Sequence, residues 1–441
     1  MKWFGTSALS LSVVAAVLLC VAAKAAAQDA APSVRLTLQD ALALARKNSV
    51  QFQSAVTDSA IARQDRFQAG AALLPSVSYN NEALYTPLNN NNEVRFIANN
   101  AAHEYISQAN IHESIDLAGV SSFRRASALA AAAKAKAEIA SRGLVVTVVQ
   151  DYYSVAAEQQ KLLAAQKAAE EGDRFLTLTQ DLEKGGEVAH SDVIKAELQA
   201  RDRRRLMQEA QLALLNARLD LAVLIFPDFS DNYEVADDLH SEVPLPTLGE
   251  VQQQAAKGNP DVRAALEAAR AARADVTGAW GGYLPSLSLD YWYGIDATRF
   301  AVNGPNGATN LGTSAAATLN IPIWNWGATQ SRIKQAQLRR SQAQRELSLA
   351  QRKLLAEIKS LYAEAETAYT ELGGLHRSAE LAADSLRLTT LRYKGGEATV
   401  LEVVDAQSTN ALASAAYQDG AVRYRVALAN LQTLTGALTT P

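Results

Sequence analysis

Residues 184–187 read Lys-Gly-Gly-Glu, and the same four residues return at 394–397. The two copies lie 210 residues apart, and at the same offset residues 37–80 align with residues 247–290. An alanine-rich composition can produce scattered identities by chance, but not two copies of a glycine-rich tetrapeptide in register. The sequence therefore predicts a duplicated structural unit. We place repeat 1 at 28–230 and repeat 2 at 247–441, joined by an acidic linker at 231–246.

The longest helical tracts lie directly before the two glycine pairs, at 121–184 and 329–394. The second tract contains no proline and would extend about 100 Å at about 1.5 Å per residue. Its apolar residues recur at alternating spacings of three and four, which is typical of coiled coils. Each tract stops at Gly-Gly and helix then resumes, which predicts a tight turn between antiparallel helices. Within the second tract, Gly373-Gly374 predicts a bend or a close contact with a neighbouring element.

A β-hairpin is predicted in each repeat, at about 75–118 and about 285–325. Each hairpin follows a shorter, continuous helical stretch. This stretch runs to a Leu-Pro pair and ends there, because proline disfavours helix at the residue before it. The strands alternate between apolar and polar residues, most clearly over 286–296. A period of two places the apolar side chains on one face of a sheet. That face of the third strand carries Leu287, Leu289, Tyr291, Tyr293 and Ile295.

Residues 1–27 predict a secretory signal peptide. Lys2 precedes an apolar run at 13–23, and small residues follow up to a cleavage site before Gln28. The run is too short for a transmembrane helix, which needs about 20 apolar residues; an uncleaved anchor is the alternative interpretation. The only cysteine, Cys20, lies inside this segment and follows a leucine, so lipidation is the less favoured interpretation. The mature chain then has no disulfide.

Composition excludes several classes of function. The chain has 42 Lys and Arg against 46 Asp and Glu, a net charge of −4, which argues against binding nucleic acid through bulk positive charge. It contains no phosphate-binding loop, nucleophile elbow or metalloprotease motif, so we expect neither an enzyme nor a cofactor. His103 and His112 are set aside as metal ligands, because residues of opposite parity on a strand face opposite sides. Met207 is the only methionine after Met1, which disfavours a dedicated copper or silver site.

Four half-apolar strands have two possible fates. They can form a small head domain on a soluble periplasmic coiled-coil scaffold, or they can face lipid on one side. Strands cross a bilayer only as a closed barrel, because an open edge leaves backbone groups unpaired in hydrocarbon. Known single-chain barrels begin at about eight strands, so the membrane alternative requires several copies of the chain to share one barrel.

The motifs of the two repeats together carry a resemblance to a known family. The carriers are residues 36–42, the Leu-Pro-Ser triplets at 74–76 and 284–286, Asn259-Pro260, and residues 393–407. In this order, and over essentially the whole mature chain, they resemble the TolC-type outer-membrane efflux proteins. The resemblance implies a mostly α fold with a β membrane part. Three chains would form a twelve-stranded barrel in outer-membrane lipid, continuous with a periplasmic barrel of helices.

The resemblance also implies a function and partners. A protein of this family is an export channel of a tripartite efflux or type I secretion system in the outer membrane of a Gram-negative bacterium. It works with an inner-membrane pump and a periplasmic adaptor protein. The two Gly-Gly turns correspond to the periplasmic tips, where the adaptor docks. The matching residues are Gly185, Gly186, Glu187, Tyr393, Gly395, Gly396 and Glu397.

Acidic residues just past the turn ring the channel entrance in the family. Glu402 and Asp405 occupy the matching positions, spaced to share one helix face. In repeat 1 the equivalent residues are Asp192 and Lys195. Threefold repetition would make acidic rings that favour cations. An ordinary solvated helix face is the alternative interpretation.

Overall fold

The computed structural model describes residues 34–85, 103–227, 233–236, 238–241, 243–304 and 307–436, and the predicted signal peptide with Cys20 lies outside them. Repeat 1 comprises β1 (Val34–Leu36), α1 (Leu38–Asn48), α2 (Val50–Ala71), β2 (Ser76–Tyr85), β3 (His103–Ile115), α3 (Leu117–Lys184) and α4 (His190–Ile225). The linker contains β4 (Tyr233–Val235). Repeat 2 comprises α5 (Leu248–Gly258), α6 (Pro260–Gly281), β5 (Ser286–Ala297), β6 (Leu311–Asn320), α7 (Ala328–Lys394) and α8 (Val400–Thr435).

The first helical stretch of each repeat is two helices, which corrects the prediction of one continuous helix. In repeat 1, the Ser49 hydroxyl accepts a hydrogen bond from the backbone N–H of Phe52 (3.4 Å) and caps α2. In repeat 2, the Asn259 side chain caps α6 through the N–H of Val262 (3.0 Å), and Pro260 occupies the first turn. The capping residue itself has an extended backbone, so the preceding helix cannot continue through it.

The two predicted hairpins are confirmed, and they form one antiparallel sheet in the order β2-β3-β5-β6. The register pairs Tyr291 with Ile111 on one side and with Ala315 on the other. Directly paired residues point to the same side of a sheet. The odd-numbered residues of all four strands therefore form one face, here called the apolar face, and the even-numbered residues form the polar face. Strands β2 and β6 are the two edges.

The two long helices are confirmed. Helix α3 has 68 residues and α7 has 67, so each extends about 100 Å. Helix α7 runs unbroken through Gly373 and Gly374, and a side chain at either glycine would meet no other atom of the described chain within 4 Å. The predicted close contact at this glycine pair is therefore wrong within the protomer. Among the described residues, no helix is both long enough and apolar enough to cross a membrane.

The largest buried cluster lies near the middle of α3, where β1 and β4 pair in parallel. Tyr152 of α3 is fully buried, and its hydroxyl donates a bifurcated hydrogen bond to the carbonyl oxygens of Leu36 (3.2 Å) and Ala236 (2.8 Å). Tyr233 of β4 is fully buried as well. Ala421 and Ala429 of α8 belong to the same cluster, so part of the acidic linker is a small structural element that packs against both repeats.

Candidate functional site

The two helical tips have the same backbone geometry. Gly186 and Gly396 adopt left-handed conformations, with φ of 77° and 76°. The N–H of the residue after each glycine then reaches back over the last helical turn, from Glu187 to Leu182 O and from Glu397 to Arg392 O, both at 2.9 Å. This six-to-one hydrogen bond defines the Schellman motif, in which glycine avoids the cost of a left-handed backbone. The predicted tight turns are confirmed.

The structure places most of the predicted docking residues at the surface. The exposed members are Gly185, Gly186, Glu187, Gly395, Gly396 and Glu397. Tyr393 is the exception, because only 4% of it is exposed. Its ring lies 5.0 Å from that of Phe175 in α3, and its hydroxyl donates to the hydroxyl of Thr179 (3.3 Å). Tyr393 therefore holds the second helical hairpin against the first, and its role in adaptor docking stays a prediction.

Glu402 lies in the first turn of α8. Besides its predicted role at the entrance, it helps to cap this helix. Its carboxylate accepts hydrogen bonds from the N–H and the hydroxyl of Thr399, both at 3.1 Å, which completes a capping box. Arg392 lies 3.5 Å from the second oxygen of this carboxylate. The hydrogen bonds from Thr399 and the charge of Arg392 hold the pKa of Glu402 below its usual 4.5, so the side chain stays ionised at neutral pH.

The remaining entrance residues differ between the repeats. Asp405 is exposed, and no cationic side chain of the described residues lies within 4.0 Å of it. Asp192 is half-buried and forms an ion pair with Lys195 at 3.3 Å. Asp192 is thus paired with Lys195 and Glu402 with Arg392, and Asp405 is the one of these three acids without a cationic partner among the described residues.

A groove that the sequence did not indicate lies on the opposite side of α8. At about 100° per residue, Gln407 points about 140° away from Glu402 and about 200° away from Asp405. It lines a groove of about 650 Å³ between α3, α7 and α8. The groove combines apolar side chains with three cations and one acid, and its lining includes Phe175, Leu178, Leu386, Arg174, Arg387, Lys394 and Glu171.

The floor of this groove contains an unsatisfied polar group. Only 8% of Gln407 is exposed, and its Oε1 atom has no hydrogen-bond donor among the described residues. Beside it, Arg203 of α4 is 5% exposed and donates to the hydroxyl of Ser408 (3.0 Å), which links the two hairpins. A buried carbonyl oxygen without a partner costs free energy, so this position is suited to a donor supplied from outside the chain.

The polar face of the sheet is acidic. It carries Glu82, Glu104, Asp290 and Asp296, and the four described strands contain no Lys or Arg. His112 Nδ1 lies 2.7 Å from the carboxylate of Asp290 on the neighbouring strand. No group of three or more potential metal ligands exists among the described residues.

Residues 251–437 match the family described as outer membrane efflux protein. The predicted resemblance to TolC-like outer-membrane efflux proteins is confirmed. The predicted location, the outer membrane with a large helical part in the periplasm, is confirmed by the same match. Outer membrane protein OprJ of Pseudomonas aeruginosa is 24% identical over 172 residues, which is 39% of this chain and 36% of the length of OprJ.

Solved structures confirm the fold. The CmeC outer membrane channel of Campylobacter jejuni superposes with a TM-score of 0.79 at 18% identity, over 90% of this chain and 85% of CmeC. VceC of Vibrio cholerae gives 0.78 at 18% identity, over 90% and 96% of the two chains. The open state of the MtrE channel of Neisseria gonorrhoeae gives 0.75 at 21% identity, over 90% and 88%. The predicted mostly α protomer with a β part is thereby confirmed.

Proposed function

We propose that this chain forms a passive outer-membrane channel of a tripartite efflux or type I secretion system. Substrate enters at the helical tips and leaves through the sheet, and an inner-membrane pump supplies the energy through a periplasmic adaptor. The observation that carries the proposal is a four-stranded antiparallel sheet, with open edges at β2 and β6, at one end of helices about 100 Å long. Three copies supply twelve strands, which exceeds the about eight at which membrane barrels close.

The duplication supports a ring of copies. Within the chain, α3 packs along α6, whereas the equivalent pair, α7 and α2, makes no comparable contact among the described residues. Helix α6 accordingly buries several alanines, and α2 buries no residue. Its apolar side chains Val50, Ile61 and Phe67 are 81%, 54% and 72% exposed. Packing α7 of one copy on α2 of the next repeats the contact already made inside the chain, and such a head-to-tail contact generates a ring when its rotation closes.

The correspondence between the hairpins of the two repeats also predicts how the edge strands pair between copies. Within the chain, β3 and β5 pair Ala109 with Tyr293. From the matching registers of the two hairpins, the equivalent residues on the edge strands are Ala317 of β6 and Ala83 of β2. These two residues should lie opposite each other across the junction between neighbouring copies.

Cysteine cross-linking tests this junction. With cysteines at Ala83 and Ala317, oxidation or a short bis-thiol reagent should link membrane-inserted protein into dimers and trimers and no larger species. The control moves the second cysteine from Ala317 to Ala316, which points to the other face and should give no link. If the first pair does not link in folded protein, the shared barrel in this register is wrong.

Purified trimers should also give discrete conductance steps in planar bilayers. A protein that stays in solution without detergent contradicts the channel.

We place adaptor docking on the two tips and on the groove beside Gln407. The groove has apolar side chains beside three cations and one acid, Glu171, which suits an amphipathic partner with acidic residues, and Gln407 Oε1 lacks a donor. The variants Arg174→Glu and Arg387→Glu should reduce cross-linking to the adaptor and export in cells, while leaving conductance in planar bilayers unchanged. Arg201→Glu is the matched control, since Arg201 is exposed on α4 and does not line the groove. Equal loss in all three variants contradicts docking at this groove.

We further propose that the channel prefers cations. Glu402 and Asp405 supply the negative charge at the entrance, and the acidic polar face of the sheet supports the same preference at the exit. Glu402→Gln with Asp405→Asn should shift the reversal potential in a salt gradient towards that of a non-selective pore. Asp192→Asn is the control and should change it less, because it removes one negative charge where the double variant removes two. An unchanged reversal potential in the double variant contradicts the entrance as the selective part.

A further inference from the structure

An arginine recurs at one position of the two long helices, and its surroundings differ between them. Arg142 of α3 and Arg352 of α7 are equivalent, because both helices run without a break up to their glycine turns. Only 11% of the side chain of Arg142 is exposed, whereas Arg352 is exposed. Three residues further along the same helix face, Val145 is fully buried and Leu355 is 64% exposed. The face that α3 buries inside the chain is therefore open on α7.

Arg142 holds the ends of two helices of repeat 2. Its Nη1 donates to the carbonyl oxygen of Leu434 (3.0 Å), and its Nη2 donates to that of Gly258 (3.1 Å). Gly258 is the last residue of α5, and Leu434 is the second-last residue of α8. Carbonyl groups in the last turn of a helix have no partner within the helix and form the negative end of its dipole. One guanidinium thus satisfies two helix ends, and this arrangement is here called the arginine clamp.

The equivalent acceptors of repeat 1 occupy the same places in their helices. Asn48 is the last residue of α1, and Leu224 is the second-last residue of α4. No described residue donates a hydrogen bond to the carbonyl oxygen of either one. Both residues line a groove of about 480 Å³ at the protein surface, together with Ser49, Val50 and Val223. Two helix ends that are clamped in repeat 2 are therefore accessible in repeat 1.

The neighbours of these acceptors show the same contrast in burial. Val223 precedes Leu224 and is 65% exposed, whereas its equivalent before Leu434, Thr433, is 6% exposed. At the start of the next helix, Val50 is 81% exposed and its equivalent, Pro260, is buried. Exposed apolar side chains around an accessible polar groove are typical of a surface that another chain covers.

The packing of the long helices indicates which chain this is. Within the protomer α3 packs along α8, whereas the equivalent pair, α7 and α4, makes no comparable contact among the described residues. Contact of α7 with α4 of a neighbouring copy brings the exposed arginine to the groove. The charges are complementary, because a guanidinium meets the negative ends of two helices. Ser348 stands where Glu138 accepts a hydrogen bond from Arg142 (2.7 Å), so the helix ends alone balance the charge of Arg352.

Arg352 is available for this contact. Its one polar contact among the described residues is a long hydrogen bond from Nε to the carbonyl oxygen of Ser348 on its own helix (3.4 Å). Both Nη groups are thus open to acceptors from outside the protomer.

We infer that Arg352 of each copy enters the groove of the next copy and donates to the carbonyl oxygens of that copy's Asn48 and Leu224. The occupant of the groove is a second copy of this chain, and the site is incomplete in one copy alone. The inference rests on the proposed trimeric channel and adds the residue that joins the copies where α1 and α4 end.

Thermal dissociation of purified trimers in detergent tests the clamp between copies. Arg352→Met should lower the temperature at which trimers separate into monomers by several degrees, because every junction loses hydrogen bonds from a charged donor. Arg352→Lys keeps the charge but lacks the planar fork that reaches two carbonyl groups, so its temperature should lie in between. Lys353→Met is the matched control and should leave the temperature unchanged. Lys353 is also exposed on α7, but it lines a groove with Asn259 of its own repeat.

Hydrogen exchange in the trimers locates the effect. Arg142→Met should accelerate exchange of the amides in the last turns of α5 and α8, where the clamp within the chain is lost. Arg352→Met should instead accelerate exchange in the last turns of α1 and α4, which belong to the other repeat. In mixed trimers that carry Arg352→Cys and Val223→Cys on different chains, a short thiol-reactive cross-linker should join the two chains.

Several results would overturn the inference. One is an unchanged dissociation temperature and unchanged exchange at α1 and α4 in Arg352→Met, and another is an equal loss in Lys353→Met. A link from Arg352→Cys to the adaptor, with none to Val223→Cys, would assign the groove to a different occupant. If trimers conduct while these tests fail, the clamp is wrong and the channel stands. If the unmodified chain forms neither trimers nor conducting pores, the proposed function itself is wrong.

Discussion

The two helical tips share one turn and differ in everything around it. Both use a left-handed glycine and the same backbone hydrogen bonds. In repeat 1, α4 begins at His190, the N-cap residue Ala189 provides no side-chain hydrogen bond, and Asp192 forms an ion pair with Lys195. In repeat 2, Thr399 and Glu402 form a full capping box. The left-handed glycine turn is therefore the same in both repeats, while the charges and caps around it have diverged.

The same divergence extends into the protein interior. Tyr393 is buried at the tip of repeat 2, whereas the equivalent residue of repeat 1, Glu183, is only half-buried and contacts His190. Near the middle of the long helices, Asp151 of α3 corresponds to Leu361 of α7, which packs against a buried apolar cluster. These paired positions allow each repeat to serve as a control for the other.

The largest effect is expected at the buried tyrosine. Tyr393→Ala removes the ring that packs on Phe175 and the hydroxyl bonded to Thr179, and should lower the free energy of opening the tip by about 3 kcal/mol. Hydrogen exchange of the backbone amides around the tip measures this opening. Glu183→Ala is the matched control and should change it by less than about 0.5 kcal/mol, as surface substitutions usually do. Equal effects of the two substitutions would contradict the asymmetry between the tips.

The next effect concerns Asp151. Burial, with a smaller contribution from the nearby carboxylate of Asp220, raises the pKa of Asp151 from 3.8 to about 6. The folded protein thus holds a proton that the unfolded chain releases, and stability falls as the pH rises from about 4 to about 6. Asp151→Leu copies repeat 2 and should raise the free energy of unfolding at neutral pH by about 1 kcal/mol, allowing for solvent screening of a half-buried group.

The pH dependence checks the cause of this gain. Denaturant unfolding at a series of pH values should show the gain from Asp151→Leu at neutral pH and its loss towards pH 3.8. Asp220→Asn should give a smaller gain, because Asp220 is exposed and contributes less than burial does. A gain that does not depend on pH would point to packing alone and contradict the role of the charge.

The capping difference should give an effect of similar size that is confined to one helical turn. Thr399→Ala removes the cap of α8 and should destabilise its first turn by about 1 kcal/mol. The reverse change, Ala189→Thr, places a cap three residues before Asp192 and should stabilise the first turn of α4. Hydrogen exchange of the first-turn amides of the two helices provides the measurement. No difference in Thr399→Ala would show that the tip does not depend on its capping box.

The smallest effect is the pH dependence of that box. The pKa of Glu402 is lowered in the folded protein, so its contribution is fully present above pH 4.5 and is lost as the pH falls through the lower, folded value. Exchange of the first-turn amides of α8 should therefore accelerate more on acidification than that of α4, after correction for intrinsic rates. Glu402→Gln should remove this difference in pH dependence between α8 and α4. If the difference persists in the variant, a titratable group other than Glu402 causes it.

Several features of the site were readable from local sequence. The Gly-Gly turns, the alternating strands and the long helices each depend on residues within one or two turns of each other, and the structure confirms them. The capping box was also readable, since Thr399 and Glu402 have the Thr-x-x-Glu spacing. The helix breaks at Ser49 and Asn259 had similar signals in a capping residue and, in repeat 2, the following proline.

Other features depend on contacts between distant residues. Tyr393 and Thr179 are 214 residues apart, and nothing near Tyr393 in sequence distinguishes a docking residue from a buried one. The groove beside Gln407 exists only because α3, α7 and α8 come together there. Opposing apolar and polar faces were predicted for the strands of both hairpins, most clearly for β5, but their alignment into one continuous face required the register.

The sequence by itself determined the duplication, the order of the elements and the places where the backbone turns, because hydrophobic period and glycine conformation act within a few residues. Tertiary structure decided which of the equivalent residues are buried, which charges are neutralised, and which edges remain open. These properties depend on neighbours brought together from both repeats. Burial and charge compensation are sums over all nearby groups, so two copies of one motif acquired different roles once each was packed against different surroundings.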